Sequence, residues 1–197
     1  MSFNNFYKQV IALIITFILI PVLFIPTLSS NILENVNPDS QILSDFKLNT
    51  NAFIWPTPGY TRITSYFGKR NSPTKYASSF HQGIDIGAPA GTNLVAVADA
   101  IVTYIGFNGS AGYSIHLKSN NLQFFYHHVD PNYIIKVKDY VQAGQLIGRV
   151  GPKNVYGIKN NPYKDSTGKP TNGATTGPHL HFTIKKDGIA VNPLNYF

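Results

Sequence analysis

The chain has no cysteine, one methionine, one tryptophan and a single glutamate, Glu34. Without cysteine there is no disulfide framework, no thiolate metal site and no cysteine nucleophile. Such a chain suits a compartment in which thiols would oxidise. The lack of glutamate beyond residue 50 excludes an H-E-x-x-H metalloprotease helix and any glutamate general base there. Carboxylate chemistry in that region must use Asp85, Asp99, Asp130, Asp139, Asp165 or Asp187. Long amphipathic helical runs are also lacking after Trp55. Short alternating stretches stand there instead, "RITSYF", "LVAVAD", "AIVTYIGF", "YSIHLK", "LQFFYHHV", "QLIGRV" and "LHFTIKK", separated by Gly, Pro and Asn. The two-residue period predicts an all-β, antiparallel domain over 55–197.

What is present is unevenly spread. Residues 1–50 carry two lysines against three acids, whereas 51–197 carry fourteen Lys/Arg against six aspartates, a net charge of +8. No nucleic-acid motif accompanies the basic charge, so nucleic acid is not expected as a partner. Anionic polymers of a cell envelope fit better. Residues 10–25, "VIALIITFILIPVLFI", form an apolar run behind Lys8. This predicts that 1–29 is a signal peptide or a membrane anchor, which puts everything downstream outside the cytoplasm. Residues 30–54 read as a spacer. Residues 152–176 form a polar connection longer than ordinary loops.

The chemistry concentrates in six histidines, His81, His116, His127, His128, His179 and His181, and in Asp85. In "TGPHLHFTI", His179 and His181 are two apart on a predicted strand, so they share a face roughly 7 Å apart along the backbone. In "FHQGIDIGAPAGT", an extended chain would separate His81 from Asp85 by roughly 13 Å, too far for one ion. A bend near Gly83 would bring them together. His81, Asp85 and one histidine of the 179/181 pair then make a two-His, one-carboxylate set, which suits Zn²⁺ with a fourth position open to water. Neighbouring residues of a regular strand face opposite ways, so only one of His127 and His128 can enter one site. His116 alternates with the apolar Ile115 and Leu117 and reads as a surface histidine without a role.

"HQGID", "GAPAGT", "FYHHV", "GQLIGRVG" and "GPHLHF", in this order, resemble the lysostaphin-like (LytM, M23) zinc peptidase family from about Pro56 to Phe197. The resemblance implies a compact antiparallel β-sheet domain with a groove, of the duplicated-hybrid-motif type. It implies one zinc ion held by His81, Asp85 and His181, with His128 and His179 as the catalytic pair. His127 then falls in the variable position of the family's Tyr-x-His element and is expected to be exposed. Thr183 stands where the family often has Glu or Gln, which implies looser support for a ligand.

The function implied is an extracytoplasmic zinc metalloendopeptidase cutting peptide bonds in peptidoglycan cross-links or stem peptides. The alternative is a non-catalytic envelope scaffold that binds peptidoglycan or activates another cell-wall hydrolase. Relatives of that kind typically lack several site residues, and all five are present here.

Overall fold

The structure is a computed structural model that describes residues 53–74 and 76–197. The expected leader or anchor and nearly all of the spacer lie outside the described residues. No helix among the described residues is long and apolar enough to cross a membrane. Twelve strands make up the domain: β1 (Ile63–Ser65), β2 (Gly68–Lys69), β3 (Phe80–His81), β4 (Ile84–Ile86), β5 (Asn93–Val95), β6 (Ala100–Phe107), β7 (Tyr113–Ser119), β8 (Leu122–His127), β9 (Tyr140–Val141), β10 (Leu146–Arg149), β11 (Leu180–Lys186) and β12 (Ile189–Val191). Eight of them form one antiparallel sheet in the order β1-β4-β11-β8-β7-β6-β9, with β12 also paired to β11. The remaining four form two short antiparallel pairs, β10 with β5 and β2 with β3.

Alternation decides which face is which. Ile84, Ile86, Leu180, Phe182, Ile184, Phe124, Tyr126, Ile115 and Leu117 are fully buried on one face. With Leu94, Val141 and Ile147 they form the core. Burying each such side chain contributes about 1.5–3 kcal/mol. Tyr126 locks this face to β5: its hydroxyl donates to Val95 O and accepts from Val97 N, both at 3.0 Å. The opposite face carries the polar residues of the same strands. Register sets Asp85 beside His181, His181 beside His127 and His127 beside Ser114, one polar row across β4, β11, β8 and β7. Turn chemistry holds this register. Asp187 and Gly188, both at positive φ, make the two-residue link between β11 and β12.

Candidate metal centre

Two side chains four residues apart and a third about a hundred residues on meet at the edge of the polar row. The chain bends between β3 and β4, at Gln82 and Gly83, as expected. A side chain at Gly83 would collide with the Phe182 carbonyl and meet Thr183 Oγ1 at 2.6 Å, so glycine lets β4 lie against β11 here. The bend brings His81 Nε2 to 3.1 Å from Asp85 Oδ1. β11 contributes His181, whose Nδ1 is 2.9 Å from the same carboxylate oxygen and 2.8 Å from His81 Nε2. One donor atom from each residue lies within 4.8 Å of the other two.

The surroundings orient these atoms for a cation. The carbonyl of Tyr66 can only accept, so the proton of His81 is assigned to Nδ1, 2.8 Å away, and the Nε2 lone pair turns inward. Thr183 Oγ1, 3.0 Å from His181 Nε2, can accept that nitrogen's N–H, which turns the Nδ1 lone pair inward. In that tautomer two imidazole lone pairs and a carboxylate oxygen converge on one point. Such a set can hold a cation. Burial pushes the Asp85 carboxyl up, but hydrogen bonds to the imidazoles of His181 and His81, and the electrostatic influence of the histidine cluster, hold it well below the usual carboxylate range. Burial also lowers the imidazole of His181, against the opposing pull of Asp85, which favours the neutral form that a metal requires.

His128 and His179 approach the triad from loops. His128 follows β8 at φ 59°, and this left-handed residue breaks the strand's alternation. Its Nδ1 donates to the Asn172 carbonyl at 2.7 Å. His179 precedes β11 and donates from Nδ1 to the Gly177 carbonyl at 2.9 Å, leaving Nε2 3.6 Å from Asp85 Oδ1. In both rings the backbone holds Nδ1 and leaves Nε2 free of its proton. The two rings stand 4.7 Å apart, centroid to centroid. Burial, and then the nearby His179 and His181, hold His128 well below the ordinary histidine range.

Three expectations need correction. His127 is not exposed: the turn at His128 lets both neighbours serve one side of the sheet. His127 stacks on His181 at 5.3 Å and donates from Nδ1 to Ser114 Oγ at 2.8 Å, which donates on to Gly112 O. Thr183 does not loosen the site, because its hydroxyl meets His181 directly. His116 is no plain surface histidine. It is half-buried between Tyr104 and Phe125, with Nε2 buried and unpartnered among the described residues.

Arg70 escaped the sequence reading altogether. Its Nη1 donates to Asp85 Oδ2 at 3.0 Å and to Ser65 Oγ at 2.6 Å, so the carboxylate is held from behind while Oδ1 faces the imidazoles. An arginine fifteen residues from its partner, in "YFGKRNS", carries no periodic signal that could have found it.

The triad lies in an open groove. On one side a hollow of about 470 Å³ is lined by Arg62, Thr64, Asn71, Gly87 and Pro178 along with Asp85, His128, His179 and His181. On the other, about 320 Å³ is lined by Tyr76, Phe80, Gln82, Ser110 and His127 together with His81 and His181.

Comparison with known proteins places this chain in a class. Residues 79–193 match peptidase family M23, more than half of the chain, and the protein belongs to that family. It is 34% identical over 137 residues to the DD-carboxypeptidase/endopeptidase Mpg of Neisseria meningitidis, covering 69% of this chain and 27% of that protein. It is 31% identical over 147 residues to the murein hydrolase activator NlpD of Salmonella typhimurium, covering 74% and 31%. The chain therefore spans about a quarter to a third of these relatives. Among solved structures, a zinc-containing peptidase from Vibrio cholerae aligns at TM-score 0.56 and 27% identity, over 72% of this chain and 39% of that one. The catalytic domain of lysostaphin from Staphylococcus simulans aligns at 0.54 and 26%, over 70% and 91%.

Proposed function

We propose that the protein is a zinc metalloendopeptidase that acts outside the cytoplasm on peptide bonds in the cross-links or stem peptides of peptidoglycan. Residues 55–197 form the peptidase domain, 30–54 a spacer and 1–29 a signal peptide or anchor. The observation that carries this reading is the inward convergence of His81 Nε2, Asp85 Oδ1 and His181 Nδ1, each oriented by a partner behind it. Two neutral imidazoles and one carboxylate are a donor set suited to one zinc ion. When bound, zinc supplies water acidified toward a pKa of about 7 and polarisation of the scissile carbonyl.

The remaining work belongs to His128 and His179. Each presents an unprotonated Nε2 to the groove, because its Nδ1–H is committed to a backbone carbonyl. In a domain without glutamate these two nitrogens are the bases within reach. Either can accept the proton of the attacking water and return it to the leaving amine. A ring that carries the proton can in turn donate to the developing oxyanion. Arg70 keeps Asp85 ionised and fixed, and Thr183 keeps His181 in the metal-binding tautomer.

The likeness to a murein hydrolase activator favours a second reading, a non-catalytic scaffold that binds peptidoglycan or activates another hydrolase. Metal analysis of the purified protein, with muropeptide digestion in the presence and absence of chelator, separates the two. One zinc per chain and digestion lost on chelation and restored by zinc are expected. Digestion insensitive to chelator overturns the metal reading; bound metal without digestion selects the scaffold.

A further inference from the structure

The two sides of the groove differ in chemistry, and the difference points to what the substrate carries. Arg70 borders both hollows, with Nη1 committed to Asp85 and Ser65; among the described residues the side lined by Tyr76 and Phe80 has no other Lys or Arg. On the other side stands Arg62, which has no hydrogen bond or ion pair with any described side chain. It is exposed, and its backbone carbonyl accepts from Gly87 N at 3.0 Å, which fixes its place at the groove floor. Gly87 keeps that floor low: a β-carbon there would press on Thr64 Cγ2 at 2.9 Å and touch Arg62 Nη2 at 3.4 Å. The guanidinium thus lies over bare backbone. The one acid lining this hollow, Asp85, has both carboxylate oxygens engaged, by imidazoles and by Arg70. An unneutralised guanidinium fork beside neutral Thr64 and Asn71 suits a planar anion.

We propose that the Arg62 side of the groove is a carboxylate subsite, so that the enzyme prefers a peptide bearing a free carboxylate near the bond it cuts. The inference rests on the peptidase reading above and specifies its substrate. Gly87 lies two residues beyond Asp85 along the chain, roughly 7 Å by strand rise. The carboxylate therefore sits on the first or second residue from the scissile bond. A chain-terminal α-carboxylate and a side-chain or branch carboxylate both satisfy this chemistry.

The test uses the zinc-loaded full chain and matched peptides: C-terminal acid against C-terminal amide, and side-chain carboxylate against side-chain carboxamide. Wild type is expected to show kcat/KM about fivefold higher for one acid over its amide at low salt, the size of a partly exposed ion pair. The pair that shows the preference identifies which carboxylate is read. Arg62→Gln brings the ratio to near one, Arg62→Lys keeps part of it, and added salt shrinks it in wild type. Arg149→Gln, the same charge change on β10, leaves the ratio as it was. Equal cleavage of acids and amides by wild type, equal losses on both in Arg62→Gln, or a collapse in Arg149→Gln overturns the subsite. If no peptide is cut at all, the peptidase reading fails instead. The subsite is then judged by titrating the same peptides: tighter binding of an acid that depends on Arg62 supports it, and equal binding overturns it.

Discussion

The two halves of the candidate site are built by different means. His81, Asp85 and His181 stand on strands, where backbone pairing fixes their spacing. Asp85 lies directly opposite His181 in the ladder, and the core face of the same strands is fully buried. His128 and His179 stand on loops, where no ladder holds them. Their rings are oriented chiefly by hydrogen bonds to the carbonyls of Asn172 and Gly177, in or just beyond the long 152–176 connection. That connection has its own skeleton. Asp165 accepts from the backbone of Thr167 and Lys169, and Asn172 ties the loop to β7 and Val129. The lesson is a division of labour. Strands give the convergence that the proposed metal needs from several ligands, while loops place the proposed bases with Nε2 toward the groove.

The largest test of this contrast pairs the two histidines of "HLH". His181→Ala is expected to lose bound zinc, and with it activity. His179→Ala is expected to keep the metal while kcat falls by about 10²- to 10⁴-fold, the usual range for a lost proton-transfer group. Metal analysis beside kinetics reads both outcomes; equal zinc content in the two variants would erase the division.

A second, smaller effect probes the loop side. Asn172 is fully buried; its Oδ1 accepts from Tyr113 N at 2.7 Å and its Nδ2 donates to Val129 O at 3.0 Å. Gly112 has no β-carbon because one would strike Asn172 itself. Asn172→Ala leaves two buried backbone groups unpaired and is expected to destabilise the domain by about 2–4 kcal/mol. Zinc content should hold, since no strand-borne ligand is touched. Denaturant melts and metal analysis on the same sample decide; coupled loss of metal would show that loop and strands are one unit.

The smallest effect concerns His116, in the row behind the site. Burial, and then the positive charge of Lys185, depress its imidazole to about 4. Between the ordinary value near 6.5 and about 4, the unfolded chain binds a proton that the folded chain refuses. Stability therefore declines as pH falls through that window, and this contribution levels off below it. His116→Phe keeps ring contacts with Tyr104 and Phe125 and is expected to flatten that limb by at most about one proton. Urea melts between pH 7 and 4 measure the slope; identical slopes would remove His116 as the cause.

How much was legible in advance follows from the range of each signal. Two-residue alternation revealed the strands and the all-β class, because burial on one face imprints itself on neighbouring positions. The bend near Gly83 was readable from a distance limit between His81 and Asp85. The same alternation misplaced His127, since it assumes a regular strand and His128 departs from one at φ 59°. Thr183 was misread for a related reason. Its hydroxyl is two residues from His181 on the same face of β11, and only a folded strand shows the two touching. Arg70 and Arg62 were not found at all: the partners of Arg70 stand on β1 and β4, Arg62 meets the groove only through the fold, and neither leaves a local pattern.

The sequence by itself determined the period of the strands, the supply of five groups able to bind or move protons and metal, and the exclusion of cysteine and glutamate chemistry. These are properties of neighbours along a chain. Tertiary structure decided which nitrogen of each imidazole faces inward, what holds Asp85 from behind, and where an unpaired guanidinium meets the groove. Such matters depend on atoms brought together across as many as a hundred residues, from His81 to His181, and hydrogen-bond geometry acts only at contact.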